Sequence, residues 1–150
     1  MSKTTLAKAD ADFDWYVVDA SQFRLGRMAV AIAETLMGKR KVDYTPHLLS
    51  GDGVIVINAG KVQTSGKKDE GRVYTFYSGF VGGLKEVPLG VLRDENPRKL
   101  IKLAVRRMLP KNRIARDMLR RLKVYEGAEH PHAAQNPKEL VVKLPRWKPE

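Results

Sequence analysis

The chain has 150 residues, 43% of them hydrophobic, a net charge of +11 and no cysteine. That length fits one ordinary domain with a real core. The composition excludes disulfides, cysteine-based zinc sites and thiol catalysis, and no apolar run approaches the ~18 residues of a membrane span.

Residues 1–14 read as a polar arm. They contain no apolar h-region and carry Asp10, Asp12 and Asp14. Neither a secretory signal nor an acid-poor transit peptide is expected, and the expected location is the cytoplasm. Trp15 to Ala20 is a short, nearly continuous apolar run that predicts a strand covered on both faces. From Leu25 the period changes. Leu25, Met28, Ala29, Ile32, Ala33 and Leu36 form one face of an amphipathic helix, with Ser21 near its start and Gly38 as its stop. Arg24 and Arg27 stand at its entry, where positive charge opposes the helix dipole. They are either solvated or turned toward an external anion.

Lys39, Arg40 and Lys41 follow as a basic cluster, and Tyr44 to His47 as a turn with an exposed ring and imidazole. Gly51-Asp52-Gly53 feeds a buried strand over 54–58. Strand, helix, strand at this spacing predicts a βαβ unit with a parallel pair. Residues 60–71 read as a charged loop tipped by Lys67 and Lys68. Residues 73–77 read as another strand, with Tyr74 and Phe76 in the core. Residues 78–83 read as a glycine-rich loop, and 88–94 as a short helical turn.

Asn96-Pro97 is an N-cap followed by proline at the first helical position. Leu100, Ile101, Ala104, Val105 and Met108 share one face of the helix that follows, and Lys99, Lys102 and Arg106 another. Pro110 ends it. A second helix turns Ile114, Met118, Leu119 and Leu122 inward and Arg113, Arg116 and Arg120 outward. Lys123 to Tyr125 reads as a last short strand, and the proline-rich tail from 128 as extended. The expected organisation is an arm (1–14), an α/β body (15–127) and a tail (128–150).

Residues 98–123 hold eleven basic side chains and one acid, Asp117, so +10 of the net +11 lies there. A merely soluble surface would intersperse the two signs. Clustered Lys and Arg release counterions from phosphate, which points to a nucleic-acid partner. Tyr44, His47, Tyr77, Phe80, His130 and His132 lie among the basic clusters, and such rings stack on unpaired bases. Folded RNA suits this better than duplex DNA, because no dimerisation seam or helix-turn-helix is evident.

Catalytic readings find little support. In GKVQTSGKK, five residues separate Gly60 and Gly66 where a phosphate loop needs four, and Lys68 stands where Ser or Thr belongs. The GDG at 51–53 precedes its strand, unlike a dinucleotide fingerprint. Glu129, His130 and His132 lack a clear further metal ligand. Asp19, Asp43 and Asp52 are the carboxylate candidates for a metal site; Asp19, Asp52 and the His pair motivate a rival, a metal-dependent RNA-processing enzyme, but they are scattered. No cofactor and no small-molecule substrate are expected.

WYVVDA (15–20), LGR (25–27), GK…YTPH (38–47), GDGVIVINAGKV (51–62), MLPK (108–111) and RLKVYEGAEHPHAAQ (121–135) together resemble the L-thirteen family of bacterial large-subunit ribosomal proteins. The match is collinear over roughly residues 14–142. The resemblance implies a single three-layer α/β/α domain with a mainly parallel four-stranded sheet and an extended C-terminal tail. It implies binding to large-subunit rRNA beside neighbouring ribosomal proteins, and a role early in subunit assembly. Combined with the basic clusters, it gives the candidate RNA-binding residues Arg24, Arg27, Lys39, Arg40, Lys41, Tyr44, His47, Lys67, Lys68, Tyr77, Lys111, Arg113, Arg116, Arg120, Arg121, His130 and His132. The chain departs from the family pattern at Asn112 and Ala115, where glycines are common, and at Arg107. Residues 143–150 extend beyond the usual end.

Overall fold

The computed structural model describes residues 13–142; most of the polar arm and the 143–150 extension lie outside the described residues. In chain order the elements are β1 (Trp15–Asp19), a 3-10 turn (Ala20–Gln22), α1 (Leu25–Met37), β2 (Gly53–Ile57), a second turn (Ala59–Lys61), α2 (Lys68–Gly71), β3 (Val73–Tyr77), β4 (Leu84–Pro88), α3 (Leu89–Glu95), α4 (Pro97–Met108), α5 (Arg113–Arg120), β5 (Leu122–Val124), a third turn (Ala133–Gln135) and β6 (Lys138–Glu139). The expected α/β class and four-stranded sheet are present, and every pairing in that sheet is parallel, in the order β5-β2-β1-β6.

The strand expected over 73–77 is present as β3. The 73–77 strand does not join the parallel sheet. It pairs antiparallel with β4, a strand not foreseen, as a separate hairpin. The place at the sheet edge is taken by β6 from the tail, where Lys138 and Glu139 pair with Tyr16 and Val17. Leu140 N–H donates to the Val17 carbonyl (2.8 Å), and Lys138 Nζ meets Asp14 at 2.9 Å. An exposed two-residue edge strand of charged residues carries no apolar alternation, so period alone does not reveal it. β1 is also less covered than expected, with Val18 alone fully buried.

The core forms where α1 and α4 pack together over one face of the sheet. Val18, Val54 and Val56 join Met28, Ile32 and Leu36 of α1 and Leu100, Ile101 and Val105 of α4. Truncating such a residue, for example Leu100→Ala, typically costs about 2–5 kcal/mol. Gly38 ends α1 as expected, at φ +75°, with its N–H donating to Thr35 and that of Lys39 to Glu34. Gly51 is fixed by contact: a Cβ there would lie 1.8 Å from the Leu36 carbonyl oxygen.

The start of α1 differs from expectation. Ser21 sits in the preceding 3-10 turn, capped by Asp19, and the residue at the α1 N-cap is Arg24, whose side chain makes no cap hydrogen bond. The second basic helix ends at Arg120, so Leu122 is buried as the first residue of β5 rather than on the helix. Ala115 and Met118 are its fully buried residues. Met108, expected inward on α4, is 39% exposed. Among the described residues no helix is long and apolar enough to cross a membrane.

Candidate nucleic-acid interface

Each helix of the basic region is started by an asparagine. The Asn96 side chain accepts from Lys99 N–H (2.9 Å), with Pro97 at the first helical position. The Asn112 side chain accepts from Ala115 N–H (2.9 Å), in extended backbone at φ −126°. Two of the departures from the family pattern, Asn112 and Ala115, thus work as one cap. Asn112 needs no left-handed conformation, and buried Ala115 presents its N–H to it.

The caps set α4 and α5 so that their basic residues line three grooves with shared walls. One of about 430 Å³ runs along Arg106, Lys111, Arg113 and Arg116. A second, of about 510 Å³, is lined by Arg98, Lys99, Lys102 and Arg106. A third, of about 490 Å³, continues past Arg98, Lys102, Arg116, Arg120 and Lys123. Leu119 lies in all three, an apolar floor under cationic rims. Lys102, Arg106, Lys111, Arg113 and Arg116 form no ion pair among the described residues. The line recurring across the grooves on α4 is Arg98, Lys102 and Arg106, whereas the sequence pattern suggests Lys99, Lys102 and Arg106. Lys99 also reaches the hairpin, its ammonium 4.4 Å from the Phe76 ring centroid. The usable signal is the i, i+4, i+8 spacing of residues 98, 102 and 106 opposite the buried 100, 101, 104 and 105.

A second basic concavity, of about 290 Å³, opens at the start of α1. Arg24 and Lys68 lie there with Arg72 and Arg107, which the sequence reading did not single out as binding residues. Arg27 and Lys67 are exposed nearby in the chain. After α1 the cluster divides. Lys39, Tyr44 and His47 are exposed, while Arg40 donates to Glu34 and to the Val141 carbonyl and Lys41 pairs with Asp52 at 2.7 Å. Tyr77 (67% exposed) and Phe80 (77%) stand on the β3–β4 hairpin.

Of the remaining candidates, Arg121, His130 and His132 are held by the fold. Arg121 donates to the Gly51 carbonyl and lies 4.1 Å from the Phe13 ring centroid. Burial pushes its guanidinium below its ordinary pKa. His132 shares a 2.7 Å hydrogen bond with the Tyr125 hydroxyl and stacks on Trp15 at 5.8 Å. His130 Nδ1 accepts from His132 N–H. Arg120 pairs with Asp117 one helical turn back, yet stays largely exposed.

Two of the carboxylates considered for a metal site, Asp19 and Asp52, are structural too. Asp19 accepts from Ser21 N–H (2.9 Å), the Ser21 hydroxyl (2.8 Å) and the Asn58 amide (3.0 Å). Burial pushes its pKa up, but these hydrogen bonds together outweigh it and the net shift is downward. Asp52 accepts from Asp14 N–H and pairs with Lys41. Among the described residues no group of three or more His, Asp or Glu is placed to hold a metal ion.

Comparison with known proteins gives one family. The model for "Ribosomal protein L13" matches residues 13–131. Proteins named "Large ribosomal subunit protein uL13" are similar over 93% of the chain. That of Legionella pneumophila (strain Corby) is 51% identical with 98% of its own length covered. That of Thermotoga maritima is 52% identical with 95% covered, and that of Geobacter sp. (strain M21) 50% with 99% covered.

Proposed function

The chain belongs to the ribosomal protein L13 family, and on that premise we propose that it is a structural constituent of the large ribosomal subunit. It binds large-subunit rRNA, lies beside neighbouring large-subunit proteins in the cytoplasmic ribosome, and supports an early step of subunit assembly. It works by binding, not by catalysis. The observation that carries this reading is the identity of about half the residues, nearly end to end, with proteins of that subunit.

The geometry supplies a mechanism. RNA helices repel as they pack, and each phosphate neutralised by Lys or Arg releases a counterion. The parallel sheet and α1 hold α4 and α5 rigidly, so their unpaired cations are presented at fixed spacing. The planar guanidinium fork of Arg matches phosphate oxygens. The exposed rings of Tyr44, Tyr77 and Phe80 suit stacking on splayed bases.

The test is sedimentation. A cell lysate washed at moderate salt and fractionated on a sucrose gradient should show this chain stoichiometric with the large subunit. Recovery solely from the free fractions would reject the reading.

A further inference from the structure

We infer that the concavity at the α1 N-terminus is a binding site for a single phosphate group. It is built from three independent features. The first is the helix end. Leu25 N–H donates to the Gln63 carbonyl (2.9 Å), and Met28 N–H donates to Arg24 as the first regular helical bond. Among the described residues the N–H groups of Gly26 and Arg27 have no hydrogen-bond partner, and no side chain caps the end. A 13-residue helix so exposed presents two convergent donors and the positive end of its dipole. Above Gly26 no described residue outside its own helical turn comes within 4 Å of a would-be Cβ, so a ligand can reach the backbone.

The second feature is an orphaned hydroxyl. Tyr74 lines the same concavity and is 1% exposed, and its hydroxyl has no hydrogen-bond partner among the described residues. A buried hydroxyl left unsatisfied costs free energy, so such a group calls for a ligand. The third is charge. Arg24, Lys68, Arg72 and Arg107 line the walls. Arg72 and Arg107 lie over the Tyr74 ring, 5.5 and 4.7 Å from its centroid. The nearby carboxylate Asp69 is already occupied: it accepts from Thr64 (2.6 Å) and pairs with Arg93 (2.8 Å).

The segment that fails as a phosphate loop on spacing contributes to this wall. Gln63 is bridged to Arg24 beside α1, which brings Thr64, Ser65 and Lys68 to the mouth of α1 rather than of α2, which Lys68 begins. Lys68 Nζ is held 3.1 Å from the Ser65 hydroxyl. The chemistry recognised is a tetrahedral phosphate, carried either on an RNA backbone or free in solution. The inference rests on the RNA-binding reading solely for the first of these sources.

The experiment uses the full chain, isotope-labelled, with inorganic phosphate as probe against chloride at matched ionic strength. The amides of Gly26 and Arg27 should shift saturably. Arg107→Gln should weaken phosphate about tenfold or more, as for loss of a charge-assisted bond. Tyr74→Phe, which keeps the ring, should weaken it roughly two- to tenfold. Large-subunit rRNA is then added to the phosphate-loaded protein. Displacement of phosphate at those two amides supports the site with an RNA phosphodiester as occupant. Binding of rRNA with the phosphate signature intact supports the site with free phosphate as occupant. Absence of saturable shifts with phosphate, while rRNA binds normally, overturns the inference and leaves the proposed function standing. Failure of rRNA to bind, with phosphate shifts intact, overturns the proposed function and leaves the site.

Discussion

Around the sheet, Arg40 joins Glu34 to the Val141 carbonyl, Lys41 holds Asp52, Arg121 holds the Gly51 carbonyl, and Lys138 holds Asp14. Along α4 and α5, Lys102, Arg106, Lys111, Arg113 and Arg116 have no such partner among the described residues. The residue types are the same and their roles differ. Cations at the sheet bridge segments far apart in sequence, so removing them acts on stability. Cations on the helices meet solvent, so removing them acts on binding to a polyanion. Net charge alone cannot separate the two sets.

The largest expected effect is on the helical set. Replacing Arg106, Arg113 and Arg116 by Gln together should lower the slope of log affinity against log salt by about 2, at ~0.7–0.9 per lost phosphate contact. Near 0.1 M salt that is on the order of a hundredfold in rRNA affinity. Filter binding over a salt series measures it, and the melting temperature should hardly move. An unchanged slope would place these cations in solvent.

Arg121→Ala should show the opposite profile. Losing the hydrogen bond to Gly51 and the packing on Phe13 should cost about 2 kcal/mol in urea unfolding. The salt slope should stay near the wild-type value. A slope reduced by a full contact, with stability intact, would move Arg121 into the helical set.

The acid side of the sheet offers a pH test. The folded pKa of Asp19 lies below its ordinary 3.8. Its stabilisation is therefore complete above that value and drains as pH falls through the folded pKa. Asp19→Asn should cost roughly 1–2 kcal/mol at neutral pH and flatten the acid limb of the stability profile. An acid limb identical to wild type would remove Asp19 from the network.

The smallest effect tests what holds the helical set in place. Asn112→Ala should cost about 1 kcal/mol, and Asn112→Gly only a few tenths. Thermal melts rank the two, and equal losses would mean that the cap to Ala115 contributes little.

These contrasts also show what the sequence makes legible. The first strand, α1, β2 and the two basic helices announce themselves through unbroken apolar runs or a 3.6-residue period. β4 (LKEVP) and β6 (KE) do not, because their pairing is made by backbone on exposed, charged stretches. The basic clusters are plain in composition, but their division into bridging and unpaired cations is not. The partner of Arg121 lies 70 positions away, that of Arg40 101 and that of Lys138 124. No local pattern encodes such distances. The α1 concavity escapes for the same reason, since Arg24, Arg72 and Arg107 come from three separate segments.

The order β5-β2-β1-β6 also sets a timetable for synthesis. One edge of β1 can pair once β2 has been made. The other edge stays open until Lys138 and Glu139 emerge, after every other strand and helix described here. Until then the nascent protein carries an unsatisfied row of β1 backbone groups, a template for pairing with other chains. A chain halted before residue 138 would lack Leu140 from its core and would expose that edge while its basic helices were already made, so completion of the sheet marks the point at which the protein becomes safe to release.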